Sequence, residues 1–338
     1  MILLILTGGT IGSCVDANGI IDTGRSRLLE LYTAIDPAQE FDVLRPIDIL
    51  SENIDLKDWT KLVNAIDGAN LSRYEGVIIA HGSDTLAYTS ALVSMLYAHA
   101  RVPFCLIAAD YPLEDPKSNG MDNMSAAVNL IKSVKNGVYT VYADKHGTER
   151  VTVYPASRLI EADPYLDRFG CFGGEPFGYV ENGVFTLNQK MPLSQEHFDK
   201  FNIKIKEFKN RVLFIRPYPA LDYSVFDISQ YAAVVHYSYH AGTADAAALS
   251  RFAAHCADMG KDIYFASLKT LDGNLYASSA ALLKSGVIPL CNISPYALCA
   301  KALIAYNQDV YTPKDIMQSC LADEVLIPPL NTEVQNNL

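Results

Sequence analysis

The sequence predicts an α/β protein of two domains, a larger N-terminal one on a mostly parallel sheet flanked by helices and a smaller C-terminal α/β unit. Three observations carry this expectation. Short apolar runs repeatedly end in glycine or small polar residues and are followed by stretches of helical period, the pattern of buried strands with crossover helices. At 338 residues the chain is longer than one typical domain. Between residues 170 and 209 the composition shifts, first to glycine-rich segments with aromatic strands and then to polar residues of weak propensity. The expected division is 1–190 for the first domain, 191–210 for a linker and 211–338 for the second.

The chain begins on residues 1–6, an almost purely aliphatic run that turns at once into Thr7-Gly8-Gly9-Thr10-Ile11-Gly12. With no basic leader and no cleavage pattern, it reads as a buried strand with a sharp exit, not a signal peptide or membrane span. Residues 26–34 form an amphipathic helix stopped near Pro37. Residues 41–50 read as strand, turn and strand, which puts Ser51 and Glu52 at a strand exit. Asn53 or Asp55 then caps a helix carrying Trp59, Leu62, Val63 and Ile66 on one face. Residues 76–80 are a further buried strand, ended by His81-Gly82-Ser83-Asp84-Thr85 and followed by a long helix over 86–99. A third unit has its strand at 103–108, a polar loop at 110–120 and its helix at 123–135. Strands at 138–143 and 151–154 extend the sheet. Residues 155–174 carry Arg158, Glu161, Asp163, Asp167 and Arg168 with too little periodicity for a helix, and approach the site from the sheet edge.

In the second domain, strands are expected at 211–216, 232–237, 262–268 and 287–290, alternating with helices around 244–259, 278–284 and 296–306. His240-Ala241-Gly242-Thr243 is a strand-to-helix turn. Beyond Leu326, prolines and asparagines imply a frayed tail.

Composition narrows the functional classes. Half the residues are hydrophobic, 19% are charged and the net charge is −11, so nucleic acid and anionic membrane surfaces are not expected partners. The seven cysteines are scattered without metal-ligand spacing and read as reduced thiols of a cytoplasmic protein. No glycine triplet has dinucleotide spacing, and Gly8-Gly9-Thr10 lacks the lysine of a phosphate loop, so neither cofactor nor metal is expected.

Ligands of open α/β sheets bind outside the carboxyl ends of the strands, which directs attention to Thr10, Ser51 with Glu52, and Ser83 with Asp84. A threonine hydroxyl there is a nucleophile if its proton can be removed. Asp84, near a helix start, can receive an amine, and Ser83 can hold or activate a small nucleophile. Plainer readings stand beside these: the Thr10 hydroxyl bonds only backbone, Ser83 or Asp84 is only an N-cap, His81 is a satisfied core or wall histidine, and the His240 turn is a plain connection.

Taken together, Thr7-Gly8-Gly9-Thr10-Ile11-Gly12 and His81-Gly82-Ser83-Asp84-Thr85 resemble the two signatures of the bacterial type L-asparaginase family. Further similarity lies in Asp115-Pro116-Lys117-Ser118-Asn119-Gly120 with Asn123, and in Gly273-Asn274-Leu275-Tyr276 through Ser294-Pro295. The resemblance runs from residue 1 to about 308 and implies an asparaginase-like two-domain fold. It further implies hydrolysis of a side-chain amide through an acyl-enzyme on Thr10, with Ser51, Glu52 and Asp84 holding the amino acid's charged groups. Backbone N–H groups at Gly82 and Ser83 would hold the oxyanion. It implies an amino acid substrate and a homodimer or homotetramer. The sequence also departs from the family pattern. The position of the usual tyrosine falls on Ile20, that of the usual lysine on Ile160 or, with a small shift, Arg158. Thr243 and Asn119 replace an asparagine and an aspartate. Asp16, Tyr111, Arg158 and His240 are the candidates to supply the missing proton transfer. A non-catalytic homologue that binds an amino acid or a partner, and an amidohydrolase for glutamine, a D-amino acid amide, a short peptide or a lactam, remain alternatives. A transfer-RNA amidotransferase role is the less expected one, because the chain opens directly on its first strand.

Overall fold

A computed structural model describes residues 1–12, 14–15, 21–22, 27–144, 150–191, 201–268 and 275–326. Asp16, Ile20, the Gly273-Asn274 part of the family-like segment and the tail from residue 327 lie outside them.

The opening aliphatic run is β1 (Ile2–Leu6), and all five of its residues are buried. It lies in the interior of the large sheet because its side chains alternate between two apolar layers: Leu3 and Ile5 face one, Ile2, Leu4 and Leu6 the other. A two-stranded ribbon follows, β2 (Cys14–Val15) and β3 (Ile21–Asp22), then helix α1 (Leu28–Ile35) and strand β4 (Phe41–Leu44). The expected second strand before residue 50 does not form. Pro46 lacks an N–H for a ladder, and only Ile49 pairs, in a single parallel bridge to Gly8. Ser51 and Glu52 consequently lie in a 3-10 turn (Ser51–Asn53), not on a strand end.

Helix α2 (Leu56–Gly68) starts at Asp55, whose carboxylate accepts from the Lys57 and Asp58 N–H groups while Asp58 reaches back to the Asp55 N–H. This reciprocal cap fixes the helix so that Trp59, Leu62, Val63 and Ile66 are buried, as their spacing predicts. Strand β5 (Val77–Ala80) leads to α3 (Leu86–Tyr97), which is buried around nearly its whole circumference. Strand β6 (Phe104–Ile107), helix α4 (Gly120–Ser133), strand β7 (Val138–Tyr142) and strand β8 (Arg150–Pro155) come next. The run over 155–174 contains no α-helix; it forms a 3-10 turn (Ala156–Arg158) and a hairpin of β9 (Leu159–Asp163) and β10 (Arg168–Cys171). Strands β11 (Gly178–Glu181) and β12 (Val184–Leu187) complete the large sheet, in the order β12-β11-β8-β7-β6-β5-β1-β4. The strands from β7 to β4 are mutually parallel, whereas β8, β11 and β12 pair antiparallel at one edge.

The second domain is a fully parallel sheet of β13 (Val212–Ile215), β14 (Ala233–Tyr237), β15 (Asp262–Leu268) and β16 (Ile288–Cys291). Helix α5 (Ala246–Asp258) covers its outer face, α6 (Ala277–Leu283) joins β15 to β16, and α7 (Pro295–Asn307) covers the inner face. A short helix, α8 (Pro313–Gln318), is not anticipated by the sequence pattern. Helices α3 and α7 belong to one apolar cluster, joined in part by the Tyr88 and Tyr296 rings at 5.0 Å, so the two sheets share a helical layer between them.

The expected polar linker is in part a packed strap. Ile203, Ile205 and Phe208 are buried in that shared cluster, and the Phe208 N–H donates to Thr60 Oγ1 at 3.0 Å. The end of the described chain is also tied down. Lys301 and Glu324, at 1% and 0% exposure, form an ion pair of 2.7 Å, and Val325 bridges to Ile293.

Candidate active site

Three turns converge at the carboxyl edge of the large sheet. In the first, Gly8 and Gly9 have φ of +94° and +74°, values that side chains with a β-carbon rarely adopt. The Gly9 N–H donates to the Ile49 carbonyl at 2.9 Å and the Ile49 N–H to the Thr7 carbonyl at 3.2 Å, which draws the second turn against the first. A β-carbon on Gly9 would lie 2.5 Å from Gly82 Cα, so the third turn is pressed against it as well. The motif's two threonines thereby separate in role. Thr7 is buried with its hydroxyl donating to the Ala80 carbonyl at 2.9 Å, while Thr10 opens a 3-10 turn (Thr10–Gly12) and is half-buried.

The second turn presents Ser51 and Glu52. Ser51 is buried, and its Oγ donates to Asp84 Oδ2 at 3.3 Å, a long bond to a solvent-exposed carboxylate. Its carbonyl accepts from Thr85 Oγ1 at 3.0 Å, which turns the hydroxyl of the α3 N-cap residue away from its own helix. Gly82 is required here because a β-carbon would strike the Ser51 hydroxyl. Glu52 is exposed at the same turn.

The third turn is held from beneath. His81 is buried, with Nδ1 at 2.8 Å from the Gly82 carbonyl and Nε2 at 3.0 Å from Thr89 Oγ1, which in turn accepts from Trp59 Nε1 at 3.0 Å. Burial pushes its imidazole below the ordinary value, against smaller opposing effects of the Gly82 carbonyl and Asp84. It is a satisfied wall histidine, neutral at physiological pH.

With this geometry in view, comparison with known proteins is decisive at the level of family. A family model described as asparaginase, N-terminal, matches residues 1–192. The chain belongs to the asparaginase family. Among solved structures, the thermostable L-asparaginase from Thermococcus kodakarensis superposes with a TM-score of 0.77 at 23% identity, covering 96% of this chain and 99% of that one. L-asparaginase I from Vibrio cholerae superposes with a TM-score of 0.74 at 19% identity, over the same shares of both chains. Among curated sequences, a glutamyl-tRNA(Gln) amidotransferase subunit of Sulfolobus acidocaldarius is 24% identical over 96% of this chain and 75% of its own length. The corresponding protein of Saccharolobus solfataricus is 26% identical over 96% and 76%. The asparaginase fold is thus the shared framework.

Around the three turns of this asparaginase-family site, the structure sorts the remaining sequence candidates. Ser51 touches both Gly82 and Asp84, and Gly9 packs on Gly82, so the turns that carry Thr10, Ser51 with Glu52, and Ser83 with Asp84 are in contact. Tyr111 is 38% exposed at the β6 exit, with Lys117 Nζ 5.8 Å from its ring centroid. Arg158 is buried, its Nε donating to the Asp323 carbonyl at 2.5 Å and its Nη2 lying 3.9 Å from the Asp323 carboxylate. Through these two contacts its guanidinium ties the large sheet's edge to the C-terminal segment. His240 is exposed in the turn after β14, in the second domain. Asn119 donates from Nδ2 to the Ala143 carbonyl, and Asn123 from Nδ2 to the Ala108 carbonyl, each at 2.9 Å; these buried amides stitch the exits of β6 and β7 together.

Two contributors escape a linear reading. Thr89 and Trp59, which hold His81, come from different helices, and only the i, i+4 spacing of Thr85 and Thr89 hints that two hydroxyls share one face. Asp144 at the β7 exit accepts from Thr152 Oγ1 and Tyr154 Oη, and burial pushes its carboxyl above the ordinary value. Among the described residues, no group of three or more His, Cys, Asp or Glu side chains could hold a metal ion, and no helix is long and apolar enough to cross a membrane.

Proposed function

We propose that this protein is a bacterial type, cytoplasmic asparaginase that hydrolyses the side-chain amide of L-asparagine to L-aspartate and ammonia. The observation carrying the reading is the convergence of Thr10, Ser51 and Asp84 from three separate turns, locked by Gly9 against Gly82 and by the Ser51–Asp84 hydrogen bond. Thr10 is half-buried beside tightly packed glycines, and in this reading its side chain meets the carboxamide.

In this mechanism Thr10 Oγ1 attacks the amide carbon, the C–N bond breaks, and ammonia leaves with the proton that the hydroxyl gave up. Water then cleaves the Thr10 ester, releasing aspartate and restoring the hydroxyl. The carboxylates of Glu52 and Asp84 receive the substrate ammonium, because charge-assisted hydrogen bonds are stronger than neutral ones. The Ser51 hydroxyl serves the α-carboxylate end. The Gly82 and Ser83 N–H groups face the developing oxyanion, and Ser83 supplies the second hydroxyl at the reacting end. A homodimer or homotetramer is the assembly that accompanies this reading.

The decisive experiment measures ammonia release from L-asparagine, L-glutamine and their D forms. Thr10→Ala is expected to lower release from L-asparagine by at least about tenfold. The commitment of Arg158 to Asp323 favours one second reading, an amino-acid-binding homologue without turnover. It takes over if the wild-type protein releases no ammonia from any of the four while L-aspartate still binds by calorimetry.

A further inference from the structure

The turn at residues 81–85 has its peptide planes set from below, and the hydrogen bonds there have one consistent direction. An indole N–H only donates, so Trp59 Nε1 gives its proton to Thr89 Oγ1 at 3.0 Å. A carbonyl only accepts, so the proton of the neutral His81 ring is on the nitrogen that faces the Gly82 carbonyl, Nε2 is the bare nitrogen, and the Thr89 hydroxyl donates to it at 3.0 Å. The proton is then on Nδ1, and it is donated to the Gly82 carbonyl at 2.8 Å. The three side chains are 8%, 0% and 1% exposed, so water does not compete for these bonds.

We infer that His81 is a positioning residue, which sets the oxyanion-binding Ser83 N–H by holding the Gly82 carbonyl inward in a directed chain from Trp59 through Thr89. The peptide group is planar, and no peptide among the described residues is cis, so the Ser83 N–H points opposite to the Gly82 carbonyl. Inward is the His81 ring and the α2–α3 core; outward is the half-buried side of the turn, where Ser83 and Thr10 stand. The chain leading into the turn is pinned as well, at the Ala80–His81 peptide, whose His81 N–H donates to the Ile107 carbonyl at 2.8 Å. Among the described residues, the Ser83 N–H has no protein acceptor, while the Gly82 carbonyl is engaged. An amide dipole held this way needs no reorientation when negative charge develops, which is what makes such a donor effective.

This inference rests on the amidohydrolase reading for its chemistry but not for its geometry, and the test separates the two. In His81→Asn, the side-chain Nδ2 stands where Nδ1 stood and can still donate to the Gly82 carbonyl. In His81→Gln, the amide reaches Thr89 but not that carbonyl. Crystal structures of both variants are expected to show the Gly82 carbonyl inward in His81→Asn and rotated away in His81→Gln. An unmoved carbonyl in His81→Gln overturns the inference, whether or not the protein turns over asparagine. In ammonia release, His81→Gln is expected to lose about a hundredfold in kcat at nearly unchanged KM, while His81→Asn stays within about threefold of wild type. Equal losses in the two variants, at matched thermal stability, would mean that His81 is only a packing residue. Failure of the functional reading looks different: the wild-type protein and Thr10→Ala would then be equally inactive, with the crystallographic comparison still deciding the peptide's orientation.

Discussion

Adding one methyl group at Gly9 and, separately, at Gly82 tests whether the three turns form a single packed unit. At Gly9 two costs combine. The residue sits at φ +74°, where an L side chain costs about 1–2 kcal/mol. Its β-carbon would also lie 2.5 Å from both Gly82 Cα and Gly82 N, backbone atoms with no rotamer to retreat into, an overpacking that costs about 1–3 kcal/mol. Gly9→Ala is therefore expected to lose about 2–5 kcal/mol. At about 2.1 cal/mol/K per residue, 338 residues give an unfolding entropy of about 0.7 kcal/mol/K, so the melting temperature falls by about 3–7 °C. Gly82 has no positive φ, and its β-carbon would strike chiefly the Ser51 side chain, with Gly9 Cα a looser 3.3 Å away, so Gly82→Ala is expected to lose about 1–3 kcal/mol. Ser51→Gly added to Gly82→Ala should return most of that loss, whereas added to Gly9→Ala it should return none. Trp59, the chain's single tryptophan and 8% exposed, gives a fluorescence signal for urea unfolding of all four variants. Gly9→Ala within about 0.5 kcal/mol of wild type, or rescued by Ser51→Gly, would refute the packing argument.

Three further outcomes follow from other parts of the molecule. Lys301→Met leaves the Glu324 carboxylate buried without its 2.7 Å partner and should cost about 3–5 kcal/mol in urea unfolding, a loss far above that of an exposed pair. Burial alone would raise the Glu324 carboxyl, but Lys301 and the Leu321 and Ala322 N–H groups outweigh it and hold it below the ordinary value. Its stabilising contribution is thus complete above the unfolded value of about 4.3 and lost as pH falls further, so stability curves from pH 6 downward should show a steeper acid loss in wild type than in Glu324→Gln. Thr89→Val removes the acceptor of the Trp59 proton and the donor to His81 Nε2, and is expected to lower kcat for ammonia release by about threefold to tenfold, read beside its melting temperature to separate function from folding.

What is legible in the sequence follows its periodicities. The apolar runs at 2–6, 77–80 and 104–107 are strands because every side chain on them finds an apolar layer, one residue to one face and the next to the other. The Asp55 cap and the Trp59, Leu62, Val63, Ile66 face are readable because both depend on near neighbours. The second strand before residue 50 fails for a local and a tertiary reason: Pro46 offers no N–H to a ladder, and Ile49 satisfies its backbone on Thr7 and Gly9. Ile203 and Ile205 do alternate with exposed residues, yet in so polar a stretch only the apolar cluster beneath them makes that pattern a strap. Arg158 is a candidate for the site only through its position in the family-like pattern. Its partner, Asp323, is 165 residues away, and no local rule predicts that pairing. The same holds for His81, whose burial is foreseeable at a strand end, but whose bond direction depends on Thr89 and Trp59 from two helices.

The distribution of charge around the three turns bears on what the site selects. Two buried cations, Arg158 and Lys301, pair with the C-terminal segment, at Asp323 and Glu324 in adjacent positions. The exposed carboxylates of Glu52 and Asp84 remain at the mouth of the site, in a chain whose net charge is already −11. Such a mouth repels a simple anion and attracts a cationic pole, which favours amides that carry an ammonium, amino acids among them, over simple amides. In the proposed reaction, recognition and chemistry fall to different turns: the second and third would hold the ammonium end, and the first would carry the hydroxyl that attacks the amide. An amide lacking the amine would leave Glu52 and Asp84 without a counter-charge, so its disadvantage should appear in KM at low salt and shrink as salt is raised. Removing the Thr10 hydroxyl should act on turnover at any salt concentration.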